Sequence, residues 1–192
     1  MEDVNITATQ HFLAFRHRNS NIYFSENFMH NIALSFNLFR FLIGFDKCEN
    51  ITIVKNSFLN LIANVLDLTT DNNQTIVFGN LFRNVTRSLS LWENNLNVSV
   101  FNCSVLFGES ILSQIGLGLR NMLFVSSCFF RNIMGKIDDE DSNVFGFYVG
   151  NFFILQSSIF ENNYALSGVV LKARLGNIFS VSNCFFSNNS AI

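Results

Sequence analysis

Apolar residues in this chain alternate with polar ones over short stretches that lie between recurring asparagine, serine and cysteine positions. Ile51 and Ile53 are two residues apart, and so are Val98 and Val100. A spacing of two places side chains on one face of a β-strand, whereas an amphipathic helix has a period near 3.6 residues. The pattern therefore predicts many short strands, each with one buried face.

The short strands belong to a repeat that can be followed seven times along the chain. A first marker precedes the apolar stretch at Asn21, Asn50, Gln74, Asn97, Asn121, Asn151 and Asn177. Six residues later, a small or amide residue recurs at Asn27, Asn56, Asn80, Cys103, Ser127, Ser157 and Asn183. Successive first markers are 23 to 30 residues apart. A repeat of this length indicates a solenoid, in which each coil stacks on the next.

Two solenoids have coils of this length, the parallel β-helix and the leucine-rich repeat. Segments 144–149 and 166–171 favour further strands, where most leucine-rich repeats would need a helix. Phenylalanine accounts for 24 of 192 residues, while leucine holds no fixed repeat position. We therefore predict an all-β chain: a right-handed parallel β-helix of about seven coils over residues 21–192, with an irregular cap or degenerate first coil at residues 1–20.

The recurring amides indicate ladders that run along the solenoid. Stacked Asn side chains on neighbouring coils would be one strand spacing apart, roughly 4.8 Å, so each can donate to one neighbour and accept from the other. The absence of proline fits this arrangement, because proline has no N–H to donate. The predicted ladder residues are Asn21, Asn50, Asn97, Asn121, Asn151, Asn177, Asn56, Asn80 and Asn183. The predicted interior aromatic stack consists of Phe58, Phe82, Phe129 and Phe185.

The composition limits the classes of partner. Charged residues make up only 14% of the chain and the mean hydropathy is +0.29, which a β-helix explains because neighbouring coils cover one another. The net charge of −2 and the lack of a Lys/Arg stripe argue against binding to nucleic acid. No apolar run reaches the roughly 18 residues of a membrane-spanning helix. The first residues lack the basic start and apolar core of a signal peptide.

The four cysteines give no metal or redox motif, since no C-x-x-C pair occurs. Cys128 and Cys184 occupy the same repeat position, but two coils apart. Two strand spacings are roughly 10 Å, beyond the Cα separation of about 7 Å that a disulfide tolerates. We therefore interpret the cysteines as small buried residues.

Seven Asn-x-Ser/Thr sequons give a modest indication of secretion, since chance would supply roughly four at this Asn, Ser and Thr content. They begin at Asn5, Asn50, Asn73, Asn84, Asn97, Asn102 and Asn188. Two of them coincide with predicted ladder positions, Asn50 and Asn97, where a glycan is expected to block stacking.

The search for catalytic chemistry gives no convincing constellation. The 14 acidic residues do not share a repeat position on adjacent coils, as paired carboxylates for sugar chemistry would. The acidic segment 138–141 has the alternating spacing of a calcium loop, but Val144 stands where glycine is required and Gly150 where the bidentate glutamate belongs. We expect a solvated loop there, and no catalytic residue, cofactor or metal in the chain.

Short motifs in the last third of the chain resemble those of a known family. Residues 129–132, 160–163 and 185–188 match F-x-x-N, and Ser167-Gly168-Val169-Val170 is similar to a following G-G-A-[I/L/V]. This combination resembles the repeats of the chlamydial polymorphic membrane proteins and related right-handed, pectin-lyase-like β-helix proteins. The match is good over residues 121–192 and loose over 21–120. The resemblance implies a surface-exposed or secreted structural module that is used for adhesion or display.

We therefore expect a non-catalytic structural or adhesive β-helix module that is part of a larger surface or secreted protein, because the last repeat copy is incomplete. The expected partners are further repeats of the same protein, a surface glycan or another protein. The alternative is a fragment of a carbohydrate-active β-helix enzyme, a polysaccharide lyase or glycoside hydrolase. Such an enzyme is expected to show a groove along one sheet with converging carboxylates, whereas a structural module shows isolated charges and an Asn-rich flank.

Overall fold

The chain forms a solenoid of parallel strands joined by tight corners. The computed structural model describes residues 5–6, 11–16, 19–34, 41–110, 114–135, 144–165 and 170–191. Within these ranges the secondary structure consists of strands and turns, with no helix. The alternation of apolar and polar residues explains this choice, because a coil of short strands can bury every second side chain in a narrow interior.

The strands follow one another coil by coil. Two strands precede the first coil: β1 (Asn5–Ile6) and β2 (His11–Arg16). The first coil consists of β3 (Tyr23–Ser25), β4 (Phe28–His30), β5 (Ala33–Leu34) and β6 (Phe41–Asp46). The second consists of β7 (Glu49–Val54) and β8 (Ser57–Thr70), and the third of β9 (Asn73–Phe78) and β10 (Leu81–Glu93). The fourth coil consists of β11 (Leu96–Phe101), β12 (Ser104–Leu106), β13 (Glu109–Ser110) and β14 (Ile115–Leu119). The fifth consists of β15 (Met122–Ser126), β16 (Phe129–Arg131), β17 (Met134–Gly135) and β18 (Phe145–Val149). The sixth consists of β19 (Phe152–Gln156), β20 (Ile159–Glu161), β21 (Tyr164–Ala165) and β22 (Leu171–Ala173). A further coil begins with β23 (Ile178–Ser182), β24 (Phe185–Ser187) and β25 (Ser190–Ala191).

Every strand pairs in parallel with the equivalent strand of the next coil. The seven-stranded sheet runs in the order β23-β19-β15-β11-β9-β7-β3, so the coils stack in chain order. The long strands β8 and β10 bend around the solenoid and join its remaining faces into a 14-stranded sheet, beside a four-stranded sheet of β13, β17, β21 and β25. The prediction of a parallel β-helix is confirmed, with about six turns and the start of another. The described part of residues 1–20 joins the stack, because β1 pairs with β5 and β2 with β6.

The interior is filled by side chains that stack along the axis. Phe58 lies on Phe82, with ring centroids 5.1 Å apart. Phe160 lies between Phe130 and Phe186, with 5.0 Å between ring centroids on both sides and ring planes that are nearly parallel. Stacked aromatic rings of this kind add to the stability that burial of their area gives.

Two of the four aromatic residues predicted for the interior lie elsewhere. Phe58 and Phe82 are buried, but Phe185 is 60% exposed and Phe129 is only half-buried. In these coils the next residue, Phe130 or Phe186, occupies the interior row, as the pairing of Phe82 with Val105 and of Val105 with Phe130 shows. The predictions of Phe129 and Phe185 are therefore wrong by one residue. A shift of one residue along a strand moves a side chain to the opposite face of the sheet.

Replacement of the central ring of this stack tests its contribution. Phe160→Ala is expected to lower the free energy of unfolding by about 3–5 kcal/mol, because it leaves a cavity between Phe130 and Phe186. Phe152→Ala is the matched control, since Phe152 lies on the outside of the neighbouring strand with 39% of its surface exposed. Its loss is expected to be about 1 kcal/mol or less. Urea denaturation followed by circular dichroism measures both, and equal losses would contradict the interior stack.

Candidate functional site: inner asparagine rows and an outer pocket

Each coil turns three corners that share one backbone device. A residue in the left-handed conformation is followed by a residue whose side chain points inward. The left-handed residues have φ between 49° and 72°. At the first corner they are Lys47, Asp71, Asn94, Arg120, Gly150 and Gly176. At the second they are Glu26, Lys55, Gly79, Asn102, Ser127, Ser157 and Asn183, and at the third Asn31, Asn60, Asn84, Phe107, Asn132, Asn162 and Asn188.

These corners give a second reason for the abundance of asparagine. An L-residue in the left-handed region costs roughly 1–2 kcal/mol, and Asn and Gly tolerate it best. Asn occupies the left-handed position at all but one of the third corners, where Phe107 stands with the guanidinium of Arg83 over its ring, 5.5 Å from the centroid. The asparagines therefore serve two purposes, of which only the ladder was predicted.

At the first corner, the inward side chains form a continuous hydrogen-bonded row. Its members are Cys48, Asn72, Asn95, Asn121, Asn151 and Asn177. Asn95 is representative: its backbone N and its Nδ2 both donate to Oδ1 of Asn121, over 3.0 and 2.9 Å. The same Nδ2 donates to the carbonyl oxygen of Leu68 on the preceding coil, over 3.1 Å. One amide thus joins three successive coils, and Asn72, Asn121 and Asn151 repeat the arrangement.

The inward row at the second corner changes chemistry along the solenoid. Its members are Asn27, Asn56, Asn80, Cys103, Cys128, Ser158 and Cys184. The amides of Asn56 and Asn80 repeat the pattern of the first row, with Nδ2 of Asn56 donating to Oδ1 of Asn80 over 3.0 Å. Further on, the backbone N of Cys128 donates to Oγ of Ser158 over 3.1 Å, and that hydroxyl donates to the carbonyl of Gln156. Thiol and hydroxyl groups here take the place of the amide as small donors beneath the corner.

A third row contains asparagine only in its last members. Its positions are Ile32, Leu61, Val85, Gly108, Ile133, Asn163 and Asn189, each directly after a left-handed residue. Asn163 accepts from the backbone N of Ile133 over 3.0 Å and donates through Nδ2 to Oδ1 of Asn189 over 2.9 Å. Five of the seven positions lack an amide, so the third corner relies on apolar packing over most of the described solenoid.

The predicted ladder residues fall into different rows. Asn121, Asn151 and Asn177 lie in the first inner row, and Asn56 and Asn80 lie in the second. Asn21, Asn50 and Asn97 lie two residues beyond the first corner, on an exposed outer row with left-handed backbone. There Nδ2 of Asn50 donates to Oδ1 of Asn21 over 3.1 Å. Asn183 is the left-handed residue that precedes Cys184.

One extra residue in each early coil explains why the predicted ladder residues fall into different rows. Asn50, Gln74 and Asn97 are left-handed residues inside β7, β9 and β11, and they lengthen the path between the first and second corner by one position. Strands β15, β19 and β23 lack this bulge. A constant offset of six residues therefore marks the inner row in early coils and the residue before it in later coils.

Sequence reasoning missed Asn72, Asn95, Asn163 and Asn189 as members of the inner rows. The signal that could have found most of them is a dipeptide, a left-handed residue followed directly by the row asparagine. It occurs as Gly79-Asn80, Asn94-Asn95, Gly150-Asn151, Asn162-Asn163, Gly176-Asn177 and Asn188-Asn189.

The outer face formed by β2, β6 and β8 holds a pocket of about 290 Å³. Arg16, Asp46 and Thr69 supply its polar side chains, while Ala14 and Gly44 leave the space open. The hydroxyl of Thr69 donates to the carbonyl oxygen of Phe45 over 2.9 Å and contacts Oδ1 of Asp46 at 3.1 Å. The pocket is therefore lined by one cation, one carboxylate and hydroxyl groups.

A buried polar cluster continues the same outer face on β8 and β10. Its members are Asn64, Asp67, Arg87 and Ser90, all less than 9% exposed. Asp67 lies opposite Gly44 on one side and Ser90 on the other. The guanidinium of Arg87 packs on Gly116, where an added Cβ would lie 3.5 Å from Cζ. Gly116 thus provides the room that the arginine occupies.

Asp46 and Asp67 are the two carboxylates that this outer face brings near each other. They lie on adjacent coils, two residues apart along the strand, so their Cα atoms are separated by roughly 8 Å. Arg16 and Asp46 line the pocket and could bind the hydroxyl or carboxylate groups of a sugar chain, whereas Asp67 and Arg87 are buried. The sequence did not reveal this pair, because the two residues have different offsets from the repeat markers.

The remaining candidates for chemistry are the acidic segment, metal-binding groups and the Cys48 thiol. The acidic segment 138–141 lies outside them. Among the residues that the structure describes, no group of three or more His, Cys, Asp or Glu side chains could hold a metal ion. Burial raises the pKa of the Cys48 thiol, which favours its neutral form in the first row.

The described ranges also contain no helix that is long and apolar enough to cross a membrane.

Comparisons of the chain with protein-family models, with curated proteins and with solved structures found no match.

The first inner row can be tested at two neighbouring asparagines. Asn72→Ala is expected to lower the free energy of unfolding by about 2–4 kcal/mol, because it leaves the backbone N of Cys48 and the carbonyl of Phe45 without their amide partner. Asn73→Ala removes only the acceptor of an exposed hydrogen bond from Asn97, and its loss is expected to be below about 1 kcal/mol. Thermal and urea denaturation give both values. Similar losses at the two positions would show that the row is not a major source of stability.

Proposed function

We propose that the chain is a non-catalytic structural module that displays its outer faces as part of a larger surface or secreted protein, as the resemblance to polymorphic-membrane-protein-type, pectin-lyase-like β-helix repeats implies. The observation that carries this proposal is the pair of long inner rows. Their groups are engaged in coil-to-coil hydrogen bonds from Cys48 to Asn177 in the first row and from Asn27 to Ser158 in the second. Such a stack resists bending and separation, which suits a stiff spacer.

The distribution of charges supports the same proposal. The charged side chains of the described residues lie mainly on the surface, and two ion pairs link adjacent coils. Arg131 contacts Glu161 at 3.3 Å, and Lys55 contacts Glu26 at 4.0 Å. Exposed pairs of this kind contribute little energy, and they leave a mixed polar surface of the kind expected for display.

The placement of the sequons supports a surface or secreted location. Asn50, Asn84, Asn97, Asn102 and Asn188 are all exposed, left-handed residues. None of the asparagines in the three inner rows lies in an Asn-x-Ser/Thr sequence. The expectation that a glycan at Asn50 would block stacking does not fit the geometry, because Asn50 lies outside the inner row and donates one hydrogen bond through Nδ2. A glycosylated amide keeps one N–H for this bond.

Secretion gives a direct test of this compatibility. We expect the chain, produced behind a secretion signal in a eukaryotic host, to carry glycans at exposed sequons such as Asn84 and Asn102 and to keep its β-sheet circular dichroism. Asn84→Gln is the control that removes one site. Glycopeptide mapping measures occupancy, and a product that is retained in the cell or unfolded after glycosylation would count against a surface or secreted role.

The outer pocket favours a second candidate, a carbohydrate-active enzyme. Arg16 and Asp46 line the pocket, and the Cα atom of the buried Asp67 lies roughly 8 Å from that of Asp46 on the adjacent coil. Two neighbouring carboxylates are the feature that glycoside hydrolysis requires. Their arrangement supports binding of a sugar chain as readily as its cleavage, so the two candidates share this face and differ in turnover.

A panel of neutral and uronic-acid polysaccharides separates the two candidates. The structural proposal expects binding at most, with no time-dependent release of reducing ends or of unsaturated uronates. An enzyme would release product, and Asp46→Asn or Asp67→Asn would reduce its rate by about 100-fold or more. Asp71→Asn is the matched control, since Asp71 is an exposed corner residue whose left-handed backbone asparagine tolerates. Turnover that depends on Asp46 or Asp67 would replace the structural proposal by the enzymatic one.

A further inference from the structure

Two buried thiols, those of Cys103 and Cys128, occupy the same position on neighbouring coils. The register fixes this placement: Ser104 pairs with Phe129, and the backbone N of Phe129 donates to the carbonyl of Cys103 over 2.9 Å. Both residues follow a left-handed corner residue in the second inner row, and both are 2% exposed. The thiols therefore stack along the solenoid axis.

The side chains of the two cysteines influence each other's protonation. The hydrogen bond from Cys128 lowers the pKa of the Cys103 thiol, while the same interaction and burial raise the pKa of Cys128. Each Sγ also approaches a carbonyl of its own strand, at 3.5 Å for Phe101 and 3.3 Å for Ser126.

The spacing of the coils suits a covalent bond between these thiols. Equivalent Cα atoms on paired strands lie roughly 4.8 Å apart, within the range of about 4.4–6.8 Å that disulfides span. No other pair among the four cysteines meets this condition. Ser158 separates Cys128 from Cys184 in the row, and Cys48 lies at the first corner. The repeat markers in the sequence placed Cys128 and Cys184 at equivalent positions two coils apart. The strand register shows that Cys103 and Cys128 are the equivalent cysteines on neighbouring coils.

We propose that Cys103 and Cys128 form an inter-coil disulfide when the chain folds in an oxidising environment. The electron acceptor is a small-molecule disulfide such as oxidised glutathione. One of the two cysteines, as its thiolate, attacks one glutathione sulfur, which forms a mixed disulfide and releases one glutathione thiolate. The thiolate of the other cysteine then attacks the protein sulfur of this mixed disulfide, closes the bond and releases the second glutathione thiolate. The pair loses two electrons and two protons, which appear in two molecules of reduced glutathione.

Because both sulfurs are buried in the folded chain, we expect the disulfide to form during folding. An oxidant of the size of glutathione cannot reach sulfurs that are 2% exposed in the finished stack. The mixed disulfide therefore forms while the two coils are still apart, and the exchange to the protein disulfide occurs as they stack. The bond then staples the strands β11–β12 to β15–β16 at their shared corner.

The experiment is oxidative refolding with mapping of the cross-link. The full chain is unfolded in urea under reducing conditions and refolded in a mixture of oxidised and reduced glutathione. Free thiols are then alkylated and the denatured protein is cleaved with trypsin. Each cysteine lies on its own fragment, namely 48–55, 88–120, 121–131 and 175–192. We expect fragments 88–120 and 121–131 to be linked and to separate on reduction. Four alkylated cysteines, or a cross-link through 48–55 or 175–192, would overturn the proposal.

A stability measurement separates the bond from the packing of the two thiols. The oxidised chain is expected to show a higher urea midpoint than the same chain after reduction. Cys128→Ser removes the bond but keeps a small donor of the kind that Ser158 supplies in the next coil, so its midpoint should not respond to reduction. Cys184→Ser keeps both thiols and should retain the full shift. Equal responses of these two variants to reduction would contradict the assignment of the bond.

Discussion

The left-handed corner is the constraint on which this fold depends. When the chain turns sharply through one left-handed residue, the N–H of the following residue points along the solenoid axis and not toward a neighbouring strand. A buried N–H without an acceptor costs free energy of the order of 1–3 kcal/mol. An amide oxygen from the next coil meets that need, as Oδ1 of Asn121 does for the backbone N of Asn95. The acceptor is available only if the next coil repeats both the corner and its amide, so one solution to a local problem imposes periodicity on the whole chain.

The same constraint accounts for the composition. The third corner favours Asn at its left-handed residue, and the first two corners favour a small polar side chain at the residue that follows it. These preferences explain the many asparagines and the mixture of amide, thiol and hydroxyl groups in the second row. Proline has no N–H, so it would remove a backbone donor that the hydrogen bonds between neighbouring coils need. Charges are few because the strand faces that point inward carry stacked rings such as Phe130 and Phe160, and strand edges are covered by neighbouring coils.

The period and the alternation of apolar residues were sufficient to predict a parallel β-helix built from short strands, because both follow from stacking alone. The register was harder. Residues such as Asn97 insert one position into the early coils, and no composition signal distinguishes this asparagine from the buried Asn95 two residues before it. The consequence was an error of one residue at Phe129 and Phe185. The pairing of Cys103 with Cys128 was hidden for the same reason. The outer pocket could not be predicted either, since Arg16, Asp46 and Thr69 meet only after three coils are stacked in the correct register.

The rows also determine where this chain can interact with other molecules. A polar group that joins three coils, such as the amide of Asn95, cannot bind a ligand without breaking the stack. Function is therefore confined to side chains that the stack does not use, which are those on the outer faces. Among these, the face of β2, β6 and β8 differs from the rest, because Ala14 and Gly44 leave its pocket open and Arg16 and Asp46 place charges in it. Since the strand ladders and the inner rows keep the coils in register, exposed residues on this face can change without loss of the fold.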